Sequence, residues 1–218
     1  PSSSFVVRGL SVMSSPIAAL LKGSHSASVT GEEPVQSLDQ LYAQAAILYP
    51  ILKDKVQQWA LVTRGMFPLH NSEEHRYVEW SRAANDPVLA EQVRWAALKG
   101  PQRAIEKVTR SYNGRVCRLL DICRHSIVFE DPPTVAACLS LIVSDPDVSV
   151  VKITNRLDKE YNSRKSVGYR DVNLSLRIDT PETRHLGVDL HVCELQLLLR
   201  PFSDLKSNQG HKRYVAFR

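Results

Sequence analysis

The sequence predicts an α+β fold: a mixed β-sheet flanked by helices, with a helical part ahead of it. Three observations predict it. Apolar residues recur at helical spacing through the first hundred residues. After Arg124 the chain turns to short β-branched and alternating runs. One helix falls among those runs and another closes the chain, so helices come first and a sheet follows.

The elements follow in order. Ser37 to Arg64 reads as a helix, with Leu38, Leu41, Ala45, Leu48 and Leu52 at helical spacing and Ser37 as N-cap. Pro50 is expected to kink or split it. Met66 to Ser72 breaks the pattern, and Ser72 to Arg82 reads as a short helix. Asp86-Pro87 opens another that runs to about Lys99. Pro101 suits the first turn of the next helix, which reaches about Tyr112. Arg124 to Phe129 is β-branched and apolar, hence a strand. Pro132 and Pro133 start a helix that ends before Ser144. Val148 to Leu157, Tyr169 to Ile178 and Val188 to Leu198 read as three strands. Pro201 starts a last helix, expected to stop before Gly210.

The chain has 218 residues, enough for one sizeable core and few for two. The expected division is a tail over 1–35 and a single unit over 36–218, with a helical part (36–98) and a core (99–218). The tail is rich in Ser, Ala and Val, with no acid before Glu32. That composition fits a disordered segment, and equally a transit peptide or a bacterial secretion signal. No apolar run approaches the roughly 20 residues that span a bilayer, so no membrane partner is expected and a cytoplasmic location is. The net charge of +5 favours anionic partners, either phosphate-rich small molecules or nucleic acid. The sequence leaves self-association open.

Cys117, Cys123, Cys138 and Cys193 form no C-x-x-C pair and sit beside apolar residues, so buried reduced thiols are expected and a zinc site is not. His70, His75, His125, His185, His191 and His211 make no H-x-x-x-H or H-E-x-x-H pattern. With no G-x-S-x-G and no P-loop, the chain does not read as a protease, esterase or P-loop NTPase.

The reactive groups are carried by the strands. From Gly168, Val172, Leu174, Leu176 and Ile178 share one face. Tyr169, Asp171, Asn173, Ser175 and Arg177 share the other. The preceding strand sends Lys152, Thr154 and Arg156 outward against Val151 and Ile153. Cations beside a stacking aromatic suit a nucleotide, although a plain solvated sheet surface has the same pattern. Glu194 has the strand parity of Val188, Leu190 and Val192, with Gln196 following. A carboxylate in such an apolar run is costly unless paired or metal-bound, so either a metal site or a buried ion pair with Arg explains it. Asp121 lies upstream after an apolar pair. Lys99, Arg103, Lys107 and Arg110 form a basic helical stripe leading into it; a solvated face and a polyphosphate clamp both fit.

Together these blocks resemble the RelA/SpoT-type synthetase domain, a nucleotidyltransferase-like fold. The resemblance covers about Lys99 to Arg218. L-L-D-I-C-R-H-S-I-V-F-E-D from Leu119 is similar to the family's strand that opens with a metal-binding Asp, here Asp121. R-K-S-V-G-Y-R-D-V-N-L from Arg164 is similar to its P-K-x-N-G-Y-Q-S-L-H segment. C-E-L-Q-L from Cys193 is similar to its E-V-Q-I strand, and G-H-K-R-Y from Gly210 faintly to its G-x-A-A-H-W end. No H-D-x-x-E-D hydrolase motif is present, so the resemblance is to a small synthetase-only member.

The resemblance implies transfer of pyrophosphate from ATP to the 3′-hydroxyl of GDP or GTP, with magnesium held by Asp121 and Glu194. Glu194 would be metal ligand or general base, with Gln196 as its companion. Arg103, Lys107, Arg110 and Arg124 would neutralise the triphosphate, with Lys99 extending that stripe. Tyr169 would stack on the acceptor base, with Lys165 and Arg156 on its phosphates and Lys152 on the same face. Departures cluster at the acceptor: Arg170, Asp171 and Asn173 stand where Q-S-L-H is usual, and Ser126 stands where an Arg is usual. Two other readings therefore stay open. One is transfer to adenine nucleotides or the 3′ end of tRNA; the other is a non-catalytic nucleotide- or RNA-binding module.

Overall fold

The computed structural model describes residues 34–70, 76–166 and 168–205. Residues 1–33 of the expected 1–35 tail, the start of the Ser72 helix, His75, His211, the stop before Gly210 and the G-H-K-R-Y run lie outside the described residues; Val35, expected in the tail, packs against the core.

Helix α1 (Leu38–Thr63) buries Leu41, Ala45, Leu48, Leu52, Val56 and Trp59 at three- and four-residue spacing, one continuous apolar stripe. Pro50 neither splits nor ends it. Pro50 and Ala46, whose carbonyl loses its partner, are both on the exposed side, so that carbonyl faces solvent and not the core. The local cost of about 3 kcal/mol is offset by burial of Leu48 and Leu52, at roughly 2 kcal/mol each. The helix closes at Arg64 in the left-handed region (φ 56°). Gly65 follows because a Cβ there would lie 2.5 Å from Ile127 Cγ2 and 2.8 Å from Ala60.

Next come β1 (Met66–Pro68) and β2 (Tyr77–Glu79), paired antiparallel. Neither was expected, and β2 replaces part of the helix read at Ser72–Arg82. Within its described part, helix begins at Trp80, as α2 (Trp80–Ala83), with α3 (Pro87–Glu91) after it. Helix α3 stops well short of Lys99. His70 N–H donates to the Gln92 carbonyl (2.7 Å) and Arg94 N–H to the Pro68 carbonyl (2.8 Å), which peels the chain off the helical path. Trp95 then packs against Phe67 and Trp80, at centroid distances of 4.6 and 5.4 Å. Helix α4 (Pro101–Tyr112) has Pro101 in its first turn and ends at Asn113 (φ 56°).

The core strands are β3 (Arg124–Phe129), β4 (Val148–Asn155), β5 (Val172–Ile178) and β6 (Cys193–Leu199). Between them lie α5 (Pro132–Val143), capped by the Asp131 carboxylate on Thr134 N–H, and α6 (Pro181–His185). Helix α7 (Arg200–Leu205) follows β6. The six strands form a mixed sheet in the order β2-β1-β3-β6-β5-β4; β3 and β6 are parallel, and the other pairs are antiparallel. Helices α1 and α5 cover one face, over Ile127, Phe129, Leu174, Leu176, Leu195 and Leu197.

Two strand details differ from the sequence reading. A bulge between Val150 and Lys152 turns Val151 outward, 39% exposed, so Val150 and Ile153 take the inner positions. Residues Val188–Val192 alternate like a strand but are not one. Gly187 is left-handed (φ 66°), and His191 N–H bonds back to the Val188 carbonyl (3.0 Å). Glu194 therefore does not share an apolar face with Val188, Leu190 and Val192. Cys123, Cys138 and Cys193 are buried, but Cys117 is exposed, contrary to expectation. Among the described residues, no helix is long and apolar enough to cross a membrane.

Candidate functional site

The sheet face away from α1 and α5 is arranged in rows. Cross-strand register puts Arg124, Glu194, Ser175 and Lys152 in one row over β3, β6, β5 and β4. The next row is Ser126, Gln196, Asn173 and Thr154. One step further, Val128 and Leu198 are paired, and beside them Arg156 N–H binds the Asp171 carbonyl (2.8 Å). Neighbours within a row are about 5 Å apart, and rows about 7 Å. The face thus changes from charged to neutral polar to apolar along the strands. The alternation read from Gly168 produces it: β5 buries Val172, Leu174, Leu176 and Ile178 and leaves the residues between half-buried.

Glu194 is half-buried in the charged row. Asn173 Nδ2 and Gln196 Nε2 both donate to its Oε1, each at 2.7 Å. The carboxylate is thereby fixed in orientation, with Oε2 receiving neither amide. Its own N–H donates to the Cys123 carbonyl (3.0 Å), which ties β6 to the approach to β3.

Asp121 lies just ahead of β3 and is buried (7% exposed). Its Oδ2 accepts from Lys99 Nζ at 2.7 Å and Lys107 Nζ at 2.8 Å. Burial alone would raise the Asp121 pKa, but the two ammoniums, Lys107 first, outweigh it and hold it below the ordinary carboxylate value. Burial likewise opposes the charge on Lys107, yet Asp121, with Tyr112 and Glu194, keeps its pKa above the usual one. The Lys107 ammonium therefore feels both carboxylates. Its Nζ also lies 5.6 Å from the Tyr112 ring centroid. Tyr42, from α1, closes this end by donating to the Lys99 carbonyl (2.6 Å). Sequence reasoning missed Tyr42, and no local signal marks it, since 57 residues separate it from its partner.

The basic stripe on α4 is divided. Lys99 and Lys107 turn in to Asp121, whereas Arg103 is exposed beside Glu106 (3.5 Å) and Arg110 is exposed. Arg124 and Lys152 are exposed on the row of Glu194.

At the apolar end, the Tyr169 ring packs on Met66, Val128 and Leu198. Its hydroxyl donates to Asp171 Oδ2 (3.0 Å), while Arg156 binds Asp171 Oδ1. Burial, then the Asp171 charge, raises the Tyr169 pKa far above its ordinary value. Arg170 is turned to the 156–161 loop, donating to the carbonyls of Arg156 (3.0 Å), Asp158 (2.8 Å) and Tyr161 (3.3 Å). Lys165 is exposed in the short 3₁₀ turn Ser163–Ser166. Thus Asp121, Glu194, Lys99, Lys107, Arg124, Lys152, Asn173, Gln196 and Tyr169 gather at or beside one face. Arg156 and Arg170 hold its rim together.

A magnesium ion suits this donor set. Asp121 Oδ1 is buried without a hydrogen-bond partner, and a carboxylate oxygen so placed is costly unless a cation meets it. Magnesium takes one or two carboxylates and completes its shell with water and substrate phosphate, so a cluster of three protein ligands is not required.

No protein-family model matches the chain. No curated protein matches it in sequence either. Solved structures do match in shape. Small alarmone synthetase 1 from Bacillus subtilis, bound to its product pppGpp, superposes with a TM-score of 0.57 at 12% identity, over 82% of this chain and 80% of that one. Small alarmone synthetase 2 from the same organism gives 0.52 at 15% identity, over 82% and 80%. A GTP pyrophosphokinase family protein from Streptococcus pneumoniae gives 0.50 at 14%, over 82% and 75%. The likeness is one of fold: this chain has the nucleotidyltransferase-like α+β architecture of the small alarmone synthetases.

Proposed function

We propose that the chain is a magnesium-dependent diphosphotransferase: the 3′-hydroxyl of a guanine nucleotide attacks the β-phosphorus of ATP, the α,β-bridge breaks, the β,γ-pyrophosphate is transferred and AMP leaves. One observation carries the reading. Asp121, held by Lys107 Nζ at 2.8 Å, stands two residues before Cys123, whose carbonyl accepts the Glu194 N–H, so both carboxylates lie at the charged end of a face whose far end holds Tyr169. The fold shared with small alarmone synthetases, one of them bound to pppGpp, agrees with it. On this reading 36–218 works as one synthetase-like unit, with 36–98 as its support and 99–218 as its core.

Asp121 Oδ1 and Glu194 would hold the magnesium, which supplies charge neutralisation at the transferred phosphates. Glu194 Oε2, the oxygen not bound by the two amides, would serve either as ligand to that magnesium or as proton acceptor from the acceptor hydroxyl. Asn173 and Gln196 are neutral amides, so they orient the carboxylate without adding charge to the site. Lys107, Arg124, Arg103 and Arg110 line the approach of the triphosphate, and Lys99 holds Asp121 ionised. Lys152 and Lys165 are the exposed cations nearest the acceptor side. Tyr169 offers its ring to the acceptor base. Positioning and fixed charge supply the acceleration, as phosphoryl transfer requires.

The test is incubation with γ-labelled ATP, magnesium and GDP or GTP, followed by nucleotide separation. Label in a guanosine tetra- or pentaphosphate supports the reading. Label in an adenine nucleotide or in added tRNA moves the acceptor but keeps the chemistry. No transfer to any acceptor overturns it.

A further inference from the structure

Asp171 is the most deeply buried acid among the described residues, at 0% exposure. A buried carboxylate is costly unless both oxygens are satisfied. Here they are, by partners on two sides. Arg156, just beyond β4, binds Oδ1, and the Tyr169 hydroxyl binds Oδ2 at 3.0 Å. The backbone repeats the link, with Arg156 N–H on the Asp171 carbonyl (2.8 Å). The Tyr169 backbone is closed too: its N–H bonds the Ser166 carbonyl (3.0 Å), and Ser166 Oγ bonds its carbonyl (2.6 Å).

A tyrosine in a binding face commonly contributes both a ring and a hydroxyl. Here the hydroxyl is already tied to an acid inside the protein. The side chain packs against the Met66, Val128 and Leu198 cluster, and the tether fixes the direction in which the ring projects along it. We infer that Asp171, charge-balanced by Arg156, is a positioning residue that sets Tyr169 as a rigid stacking platform for the acceptor base. The inference rests on the functional reading above and assigns a role to a residue which that reading does not use.

A rigid platform loses less conformational freedom when a base lands on it than a mobile one. Stacking on a ring is tolerant of base identity, so the tether governs how tightly a purine nucleotide is held more than which one.

The test is a double-mutant cycle on the full chain with Tyr169→Phe, Asp171→Asn and the pair, using GDP and ATP as probes. Calorimetry gives the two affinities, and steady-state rates give KM for each substrate. Both single changes should weaken GDP binding and raise its KM about tenfold, with ATP affinity within twofold of wild type. The pair should be no worse than either single change, because both remove one hydrogen bond. Losses that add in the pair, or GDP affinity unchanged in both variants, overturn the inference while nucleotide binding stands. Should Asp171→Asn fail to fold, Tyr169→Phe decides alone: unchanged GDP affinity overturns the tether, and a tenfold loss confined to GDP supports it. A wild-type chain that binds no nucleotide overturns the functional reading itself, a different result from the others.

Discussion

Arg124 and Glu194 are direct cross-strand neighbours on the parallel pair β3 and β6, with side chains on the open face of the sheet. Their backbones are one strand spacing apart, about 5 Å, and Glu194 Oε1 is bound by Asn173 and Gln196. A cation and a carboxylate on neighbouring strands of one open face can each meet a different part of one ligand.

The first prediction concerns that row. Glu194→Gln should lower kcat for pyrophosphate transfer on the order of 100-fold or more, with the melting temperature nearly unchanged because the side chain is half-exposed. Arg124→Ala should raise KM for ATP more than for GDP. Wild-type rates in Glu194→Gln would remove the carboxylate from the chemistry.

The second concerns Asp121, where structure and chemistry are joined. Asp121→Asn leaves Lys99 and Lys107 facing a neutral amide, and removing one side of a buried ion pair costs on the order of 3 kcal/mol. Urea denaturation should show that loss. Adding Lys99→Met to Asp121→Asn should return part of the stability but none of the activity.

Magnesium gives the third. Asp121 is already balanced by two ammoniums, so the fold does not depend on a metal for that charge. Chelation should abolish transfer and leave the melting temperature within a few degrees, with activity restored on adding magnesium. A large melting shift on chelation would place a structural metal elsewhere.

The fourth is a pH dependence of stability. His125 and His191 are buried, and burial lowers each pKa to about 4; Lys53 adds to the effect at His125. A depressed pKa means the unfolded chain takes up protons first as pH falls. Stability is therefore intact above about pH 6.5 and is lost on going down towards pH 4, by on the order of 3 kcal/mol for each group. Asp121 acts in the same direction but lower, since its pKa is depressed below the ordinary carboxylate value and its contribution fades only under about pH 4. Urea midpoints at pH 7.5 and 5.0 should differ clearly in wild type and less in His125→Phe.

Much of this was legible in the residues. The alternation from Val172 to Ile178 placed Asn173, Ser175 and Arg177 on the open face correctly, because β5 has one buried and one open side. Pro101 and Pro132 marked helix starts that the structure keeps. Glu194 was noticed for a wrong reason, since the alternation before it belongs to a turn held by Gly187 and Val188. The β1–β2 hairpin was invisible, as three-residue strands are too short to show a period. Long-range partners were invisible for a different reason. Nothing near Lys99 or Asp171 says whether its charge faces solvent or a buried counter-charge. That is decided by residues 22 positions away for Lys99 and 15 for Asp171.

The place of β6 in the sheet has a bearing on when the molecule can act. Among the described residues it is the last strand along the chain, yet it lies between β3 and β5, which pair with each other nowhere. Until Cys193–Leu199 has left the ribosome, the strand that starts beside Asp121 and the strand that carries Asn173 have nothing to join them. Nascent chains and products truncated before Cys193 lack the centre strand and the Glu194 carboxylate together. Inserting a strand late between two waiting edges joins residues distant in sequence, which makes it a slow step in folding. The sheet therefore closes only once Cys193–Leu199 is in place between β3 and β5.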